Sequence, residues 1–255
     1  MAAARPLPRA ATAVLSGLAL VAAWTLASTL TDARALPPPW AVAAAMAREA
    51  ASGDLLRHLV ATLTRVVAAF VLAMAVGSAV GFAMGRSRAV DRALDVWLVV
   101  LLNLPALVVI ILAYVWFGLT EAAAIGAVAV NKLPNVIVTV REGARALDPA
   151  LDEMARAFRL PLRRRLADVV LPQLRPYLAA AARSGLSLVW KIVLVVELLG
   201  RSNGVGFQLS MFFQLFDVAS ILAYALAFVL VMLTIEVTVL QPIEQRANRW
   251  RVHLR

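Results

Sequence analysis

The residues of this chain that are equipped for chemistry fall in three places. Glu153-Met154-Ala155, followed by Phe158-Arg159-Leu160 and then by Leu171-Pro172, lies in a basic stretch studded with apolar positions at helical spacing. A solvated loop has no need of those apolar residues, so the segment is expected to dock onto another surface. Asn131-Lys132 stands in the middle of an apolar run, and Lys191 with Glu197 interrupts another. Charge at membrane depth is expensive and faces a bundle interior or a watery cavity, so these four are candidates for lining a pathway, with Lys132 favouring an anion. An interior ion pair between Lys132 and Glu197 is the alternative. The third place is Gly204-Val205-Gly206, followed by Phe207, Leu209, Met211, Phe212, Phe213, Leu215 and Phe216 with polar residues interleaved. It reads as an amphipathic turn-helix in the outer interface, or as the lining of an outer cavity, rather than as a span.

No catalytic constellation accompanies them. The sequence has no G-x4-G-K-[ST], so it cannot hold ATP by a P-loop. It has no H-E-x-x-H and no G-x-S-x-G. Cysteine is absent, and the two histidines, His58 and His253, are too far apart in sequence to suggest a metal cluster. No catalytic residue, metal or cofactor is expected.

The elements that position these residues follow from composition. Of 255 residues, 62% are apolar and 16% charged, with a mean hydropathy of +0.84. Soluble domains hold about 45–50% and about 25% respectively. A disordered tail, a disulfide scaffold and an ordinary cytosolic enzyme are thereby excluded. A bilayer core about 30 Å thick takes roughly 20 helical residues. Uncharged runs of that size cover 10–31, 66–85, 96–120 and 218–235; two more, 122–140 and 176–199, are broken only by Lys132 and by Arg183, Lys191 and Glu197. Six transmembrane helices of an all-α integral membrane protein are predicted.

Basic residues set the orientation, because Lys and Arg are retained on the cytoplasmic side. With the N-terminus inside, the inner segments hold Arg5, Arg9, Arg86, Arg88, Arg92, the arginines of 141–175, and Arg246, Arg249, Arg251 and Arg255. The outer segments hold only Arg34, Arg48, Arg57 and Arg201. Both termini are therefore cytoplasmic, and the net charge of +10 is a topology signal rather than an attraction to nucleic acid. Arg5, Arg9, the following apolar run and Ala33-Arg34-Ala35 also resemble a signal peptide, but the run is longer than the usual apolar region of about 7–15 residues, which favours a retained helix.

The chain then divides into a first helix (1–35), an outer segment (36–57) whose 41–51 stretch could form a surface helix, a core of five helices (58–245) and a basic inner tail (246–255). Within the core lie the inner loop 141–175 and the outer segment 200–217. The inner loop reads as two short helices, 149–158 and 161–170, each opened by a proline, with Leu171-Pro172 ending the second. Small residues at every fourth position of the second span, Ala69, Ala73, Gly77, Gly81 and Gly85, form a ridge for close helix packing, within one subunit or between two.

Glu153-Met154-Ala155, with Arg159 six positions after the glutamate and Leu171-Pro172 eighteen and nineteen after it, resembles the EAA motif of permease subunits in bacterial binding-protein-dependent ABC importers, E-A-A-x3-G-x9-I-x-L-P. Met154 replaces the central alanine and Arg159 the glycine. Within that family the chain is most similar to the nitrate, sulfonate, taurine and bicarbonate type: Leu36-Pro37-Pro38-Pro39, His58 with Thr62-Leu63-Thr64-Arg65, Trp116-Phe117-Gly118, and Glu197 before Gly204-Val205-Gly206 match its segments in order. The likeness covers about 36–240.

The resemblance implies a type I ABC importer permease in the bacterial inner membrane, working as a homodimer within membrane lipid. Its partners would be cytoplasmic ABC ATPase subunits, which bind the ATP, and a periplasmic or lipid-anchored solute-binding protein. Glu153, Met154, Ala155, Phe158, Arg159, Leu160, Leu171 and Pro172 would couple to the ATPase, small Ala155 allowing close approach. Gly204 and Gly206 would belong to a periplasmic gate. Arginine adopts the left-handed turn of the motif's glycine only at a cost, so a rebuilt turn is expected at Arg159. An ion-coupled carrier acting alone is the competing reading, and it predicts internal repeats with paired broken helices.

Overall fold

The computed structural model describes residues 9–32 and 35–242. Residues 1–8 with Arg5, Ala33-Arg34 of the cleavage-like triplet, and the basic tail with His253 lie outside the described residues. Every regular element among the described residues is helical. α1 (Arg9–Leu30) and α2 (Pro39–Ala51) are followed by α3 (Asp54–Arg86), α4 (Arg88–Asn103), α5 (Ala106–Phe117), α6 (Glu121–Arg145) and α7 (Pro149–Ala157). α8 (Leu162–Gly200), α9 (Val205–Gln214) and α10 (Val218–Ile235) complete the chain. α3, α6, α8 and α10 with its extension to Thr238 are each long and apolar enough to cross a bilayer.

The centre of the bundle is where α3, α5, α6 and α8 meet, through Val66, Ala69, Ile110, Ala127, Val128, Val189 and Val193. The small-residue ridge of α3 is used inside the subunit. A Cβ on Gly81 would stand 2.6 Å from the Ile137 carbonyl oxygen, and one on Gly85 2.6 Å from that of Arg141, so α3 and α6 approach backbone to backbone. Large side chains such as Trp97, Val115 and Trp116 point outward, as a bundle solvated by lipid tails permits. The surface helix expected over 41–51 is α2, which packs Val42 and Ala45 on Ala223 of α10. α1 meets the rest near its outer end, where Trp24 packs on α2 and donates from Nε1 to the Pro37 carbonyl at 3.1 Å.

Two expectations need correction. The run 96–120 is not one straight span: Leu104-Pro105 separates α4 from α5 with a bend of 101°. Pro105 lacks the N–H that would continue the helix and forces Leu104 into an extended conformation (φ −72°, ψ 124°). The Asn103 side chain donates to the Val99 carbonyl at 2.8 Å, giving one group at the helix end a partner. Nor does Leu171-Pro172 end a short helix. α8 runs unbroken from Leu162 to Gly200, with a π-helical stretch over Arg165–Val170. Leu171 N–H reaches back to the Leu166 carbonyl, and this wider turn makes room for the ring of Pro172.

Candidate functional site

Four helix ends meet at the end of the bundle that the arginine bias places outside, and the side chains they present form one polar cluster. Arg65, immediately before the uncharged run 66–85 of α3, is only 4% exposed; Glu197, near the end of α8, is fully buried. Arg65 Nη1 donates to Glu197 Oε1 at 2.6 Å, while Nε and Nη2 grip Glu121, the first residue of α6, at 2.8 and 2.6 Å. Arg201 Nη2 approaches the same Glu121 carboxylate at 2.6 Å. A buried carboxylate is tolerable only when its lone pairs are filled, and here they are. Thr62 Oγ1 (2.9 Å) and the backbone N–H of Gly206 (2.9 Å) both donate to Glu197 Oε2.

The cluster fastens the 200–217 segment to the bundle. Arg65 Nη1 donates to the Asn203 carbonyl at 2.9 Å, and Nη2 to its side-chain oxygen. Val205 N–H donates to Thr62 Oγ1 at 2.8 Å and Gly204 N–H to His58 Nδ1 at 2.9 Å. Gly204 sits at φ 111°, and a Cβ there would overlap the Glu197 carboxylate, so the position needs glycine twice over. A Cβ on Gly206 would overlap the Leu194 carbonyl. Because Gly204 makes Nδ1 of His58 an acceptor, Nε2 carries the proton. The Gln208 side-chain amide lies 2.7 Å from Nε2, within hydrogen-bonding distance of the ring.

Glu197, Gly204 and Gly206 thus come together, but the partner of Glu197 is Arg65 and not Lys132. Lys132 is 1% exposed in the middle of α6; among the described residues its hydrogen-bond partner is Ser184 Oγ at 3.5 Å, with no carboxylate in ion-pair range. Asn131 donates to the Ala127 carbonyl of its own helix, and Lys191 is exposed on α8.

On the inner side, α7 lies across the start of α8. Its N-cap Asp148 accepts from Ala150 N–H, and Asp148 N–H donates to Gln173 of α8 at 2.9 Å. Leu151, Met154 and Phe158 are exposed, Phe158 to 76%, and Glu153 is exposed beside them. Ala155 is fully buried against its own chain, so its small size serves the seating of α7 rather than an outer contact. The turn is not rebuilt. Arg159 takes the left-handed conformation (φ 49°), with Leu160 N–H bonding the Ala155 carbonyl and Arg159 N–H that of Arg156, both at 2.9 Å. This is the Schellman pattern a glycine would make, held by an arginine.

Arg65, Glu121 and Asp152 are the residues that sequence reasoning passed over. Arg65, Glu121, Glu197 and Arg201 all mark the same outer boundary of successive spans, and that shared depth was the available signal. Asp152, beside the motif glutamate, accepts from Arg165, Arg156 and Arg86 at 2.5, 2.9 and 3.0 Å. Burial alone raises its carboxyl, but Arg165 and Arg156 outweigh that and hold it below the ordinary carboxylate range.

A family model, the binding-protein-dependent transport system inner membrane component, matches residues 73–241. The chain belongs to that family. It is 35% identical over 190 residues, 74% of this chain and 72% of the relative, to SsuC of Escherichia coli (strain K12), named as an aliphatic sulfonates transport permease protein. The protein of the same name in Bacillus subtilis (strain 168) is 27% identical over 192 residues, 74% of this chain and 70% of the relative. An ABC transporter permease protein of Brucella abortus (strain 2308) is 27% identical over 223 residues, 88% of this chain and 89% of the relative. A solved amino acid ABC transporter shares the fold, with a TM-score of 0.62 at 20% identity over 78% of this chain and 97% of that one. This family member is thus a multi-pass protein of the inner membrane and an ABC importer permease.

Proposed function

We propose that this permease forms, as a homodimer, the pathway for a small sulfonate-like anion and couples its passage to ATP hydrolysis by separate cytoplasmic ATPase subunits, a solute-binding protein delivering the anion outside. The observation that carries the reading is α7: a short helix tied to α8 that leaves Leu151, Met154 and Phe158 uncovered beside Glu153 at the inner end. Exposed apolar side chains on a polar inner loop suit a protein partner. The anion is supported by the naming of the two SsuC relatives for aliphatic sulfonates, and by Lys132 as a candidate lining residue with Asn131, Lys191 and Glu197. Gly204 and Gly206 belong to the outer gate, which the Arg65 cluster holds shut. A carrier acting alone calls for corresponding broken helices in two halves, whereas α4 and α5 form the single bent pair among the described residues.

Co-expression with the ABC ATPase of the same transport system tests the reading. Phe158→Arg is expected to cut co-purification of the ATPase at least tenfold while leaving the permease folded; undiminished association overturns it. Uptake of radiolabelled ethanesulfonate into proteoliposomes holding the complex and its binding protein tests the substrate class.

A further inference from the structure

α3 and α8 both run from the outer cluster to the inner loop, and α3 does so as a single regular α-helix, whereas α8 carries a π-helical stretch at its inner end. The 33 residues of α3 carry His58, Thr62 and Arg65 near one end and Arg86 at the other. Arg65 and Arg86 are separated by about 32 Å of helix at 1.5 Å per residue, which a continuous helix transmits with little give. At the inner end Arg86 Nη2 meets Asp152 Oδ2 at 3.0 Å, the only ion pair between α3 and α7 among the described residues. The other oxygen of Asp152 is held by Arg165 at the start of α8, at 2.5 Å. The Asp152 side chain is 14% exposed and that of Arg86 37%, so the junction is shielded at its Asp152 end and open to solvent at its Arg86 end.

We propose that Asp152 is a positioning residue for energy coupling: through Arg86 it joins α7 to α3, so that a push on α7 reaches the outer cluster along α3. The inference rests on the ATPase-coupling reading above. It assigns a part to the residue next to Glu153 that differs from docking: Glu153 faces outward, whereas Asp152 faces the membrane helices.

The test uses the complete permease–ATPase complex in lipid nanodiscs. The chain has no cysteine, so a fluorophore on Ser202→Cys, exposed beside the outer turn, reports there alone within the permease once the ATPase has been made cysteine-free. ATP with vanadate is expected to shift its emission in the parent complex. Arg86→Gln, which leaves Arg156 and Arg165 on Asp152, is expected to keep the ATPase bound and hydrolysing while reducing that shift at least fivefold. Asp152→Asn should give the same loss, the double variant no more, and Asp152→Glu should restore the shift. A full shift in Arg86→Gln and Asp152→Asn overturns the inference. Failure of the parent permease to hold the ATPase, or indifference of that association to Phe158→Arg, instead overturns the coupling reading and this inference with it.

Discussion

Arg65 and Glu197 illustrate how burial turns a common ion pair into a structural commitment. Removing Arg65 leaves the buried Glu197 charge without a counter-ion, which costs about 3–5 kcal/mol; removing Glu197 leaves Arg65 on Glu121 but strips the Thr62 hydroxyl and the Gly206 N–H of a buried acceptor. Glu197→Ala is therefore expected to lower the thermal unfolding midpoint in detergent far more than Lys191→Ala, since Lys191 is exposed on the same helix. Equal midpoints for the two variants would contradict the cluster's role. Arg159 makes the opposite case. An arginine at φ 49° carries about 1–2 kcal/mol of strain, and glycine would relieve it at an unfolded-state cost of about 0.4–1 kcal/mol. Arg159→Gly should thus leave stability unchanged or raise it by up to about 1.6 kcal/mol, whereas β-branched Arg159→Val should lower it; thermal unfolding of the purified permease checks both. The sequence revealed the departure from glycine but not its outcome, because whether a backbone is rebuilt or strained depends on the hydrogen bonds that hold the turn.

At the scale of elements, the apolar runs were legible because lipid demands them, and the ridge of α3 because small residues at every fourth position have little other use. Whether the ridge faced its own subunit was not legible: that depends on α6 presenting the Ile137 and Arg141 carbonyls to it. Gly81→Ala is expected to cost about 1–3 kcal/mol through overpacking, read as a lower unfolding midpoint, whereas Gly126→Ala inside α6, whose Cβ would meet nothing within 4 Å, should gain about 0.5–1 kcal/mol. The prolines divided in the same way. Pro105 breaks its span while Pro172 is absorbed, and the difference lies in a π-turn that leaves no mark on composition. The seating of α7 carries a pH signature. The folded pKa of Asp152 is depressed, so its contribution is present above the unfolded value of about 3.9 and is lost as pH falls through the lower folded value. Amide exchange in α7, corrected for intrinsic rates, should keep its protection from pH 7 to pH 5 and lose it only in stronger acid.

For the whole molecule, the arginine bias assigns sides to every loop, and the absence of cysteine makes the assignment easy to check. Ala157→Cys should react with a membrane-impermeant maleimide only in inverted vesicles, and Ser202→Cys only in intact spheroplasts; the reverse pattern would overturn the topology. The fold class was readable at this scale because six apolar runs and a one-sided charge bias leave few arrangements open. The meeting of Arg65, Glu121 and Glu197 was not, since it joins residues more than fifty positions apart. α1 has a further consequence. It touches the remainder near its C-terminal end, through Trp24, and the topology that the arginine bias predicts brings the chain out of it on the outer face. A processed chain beginning after α1 would enter α2 from that same face, so every later helix would keep its direction. Retention or removal of the first helix therefore changes the address of the N-terminus and nothing about which way the machine points.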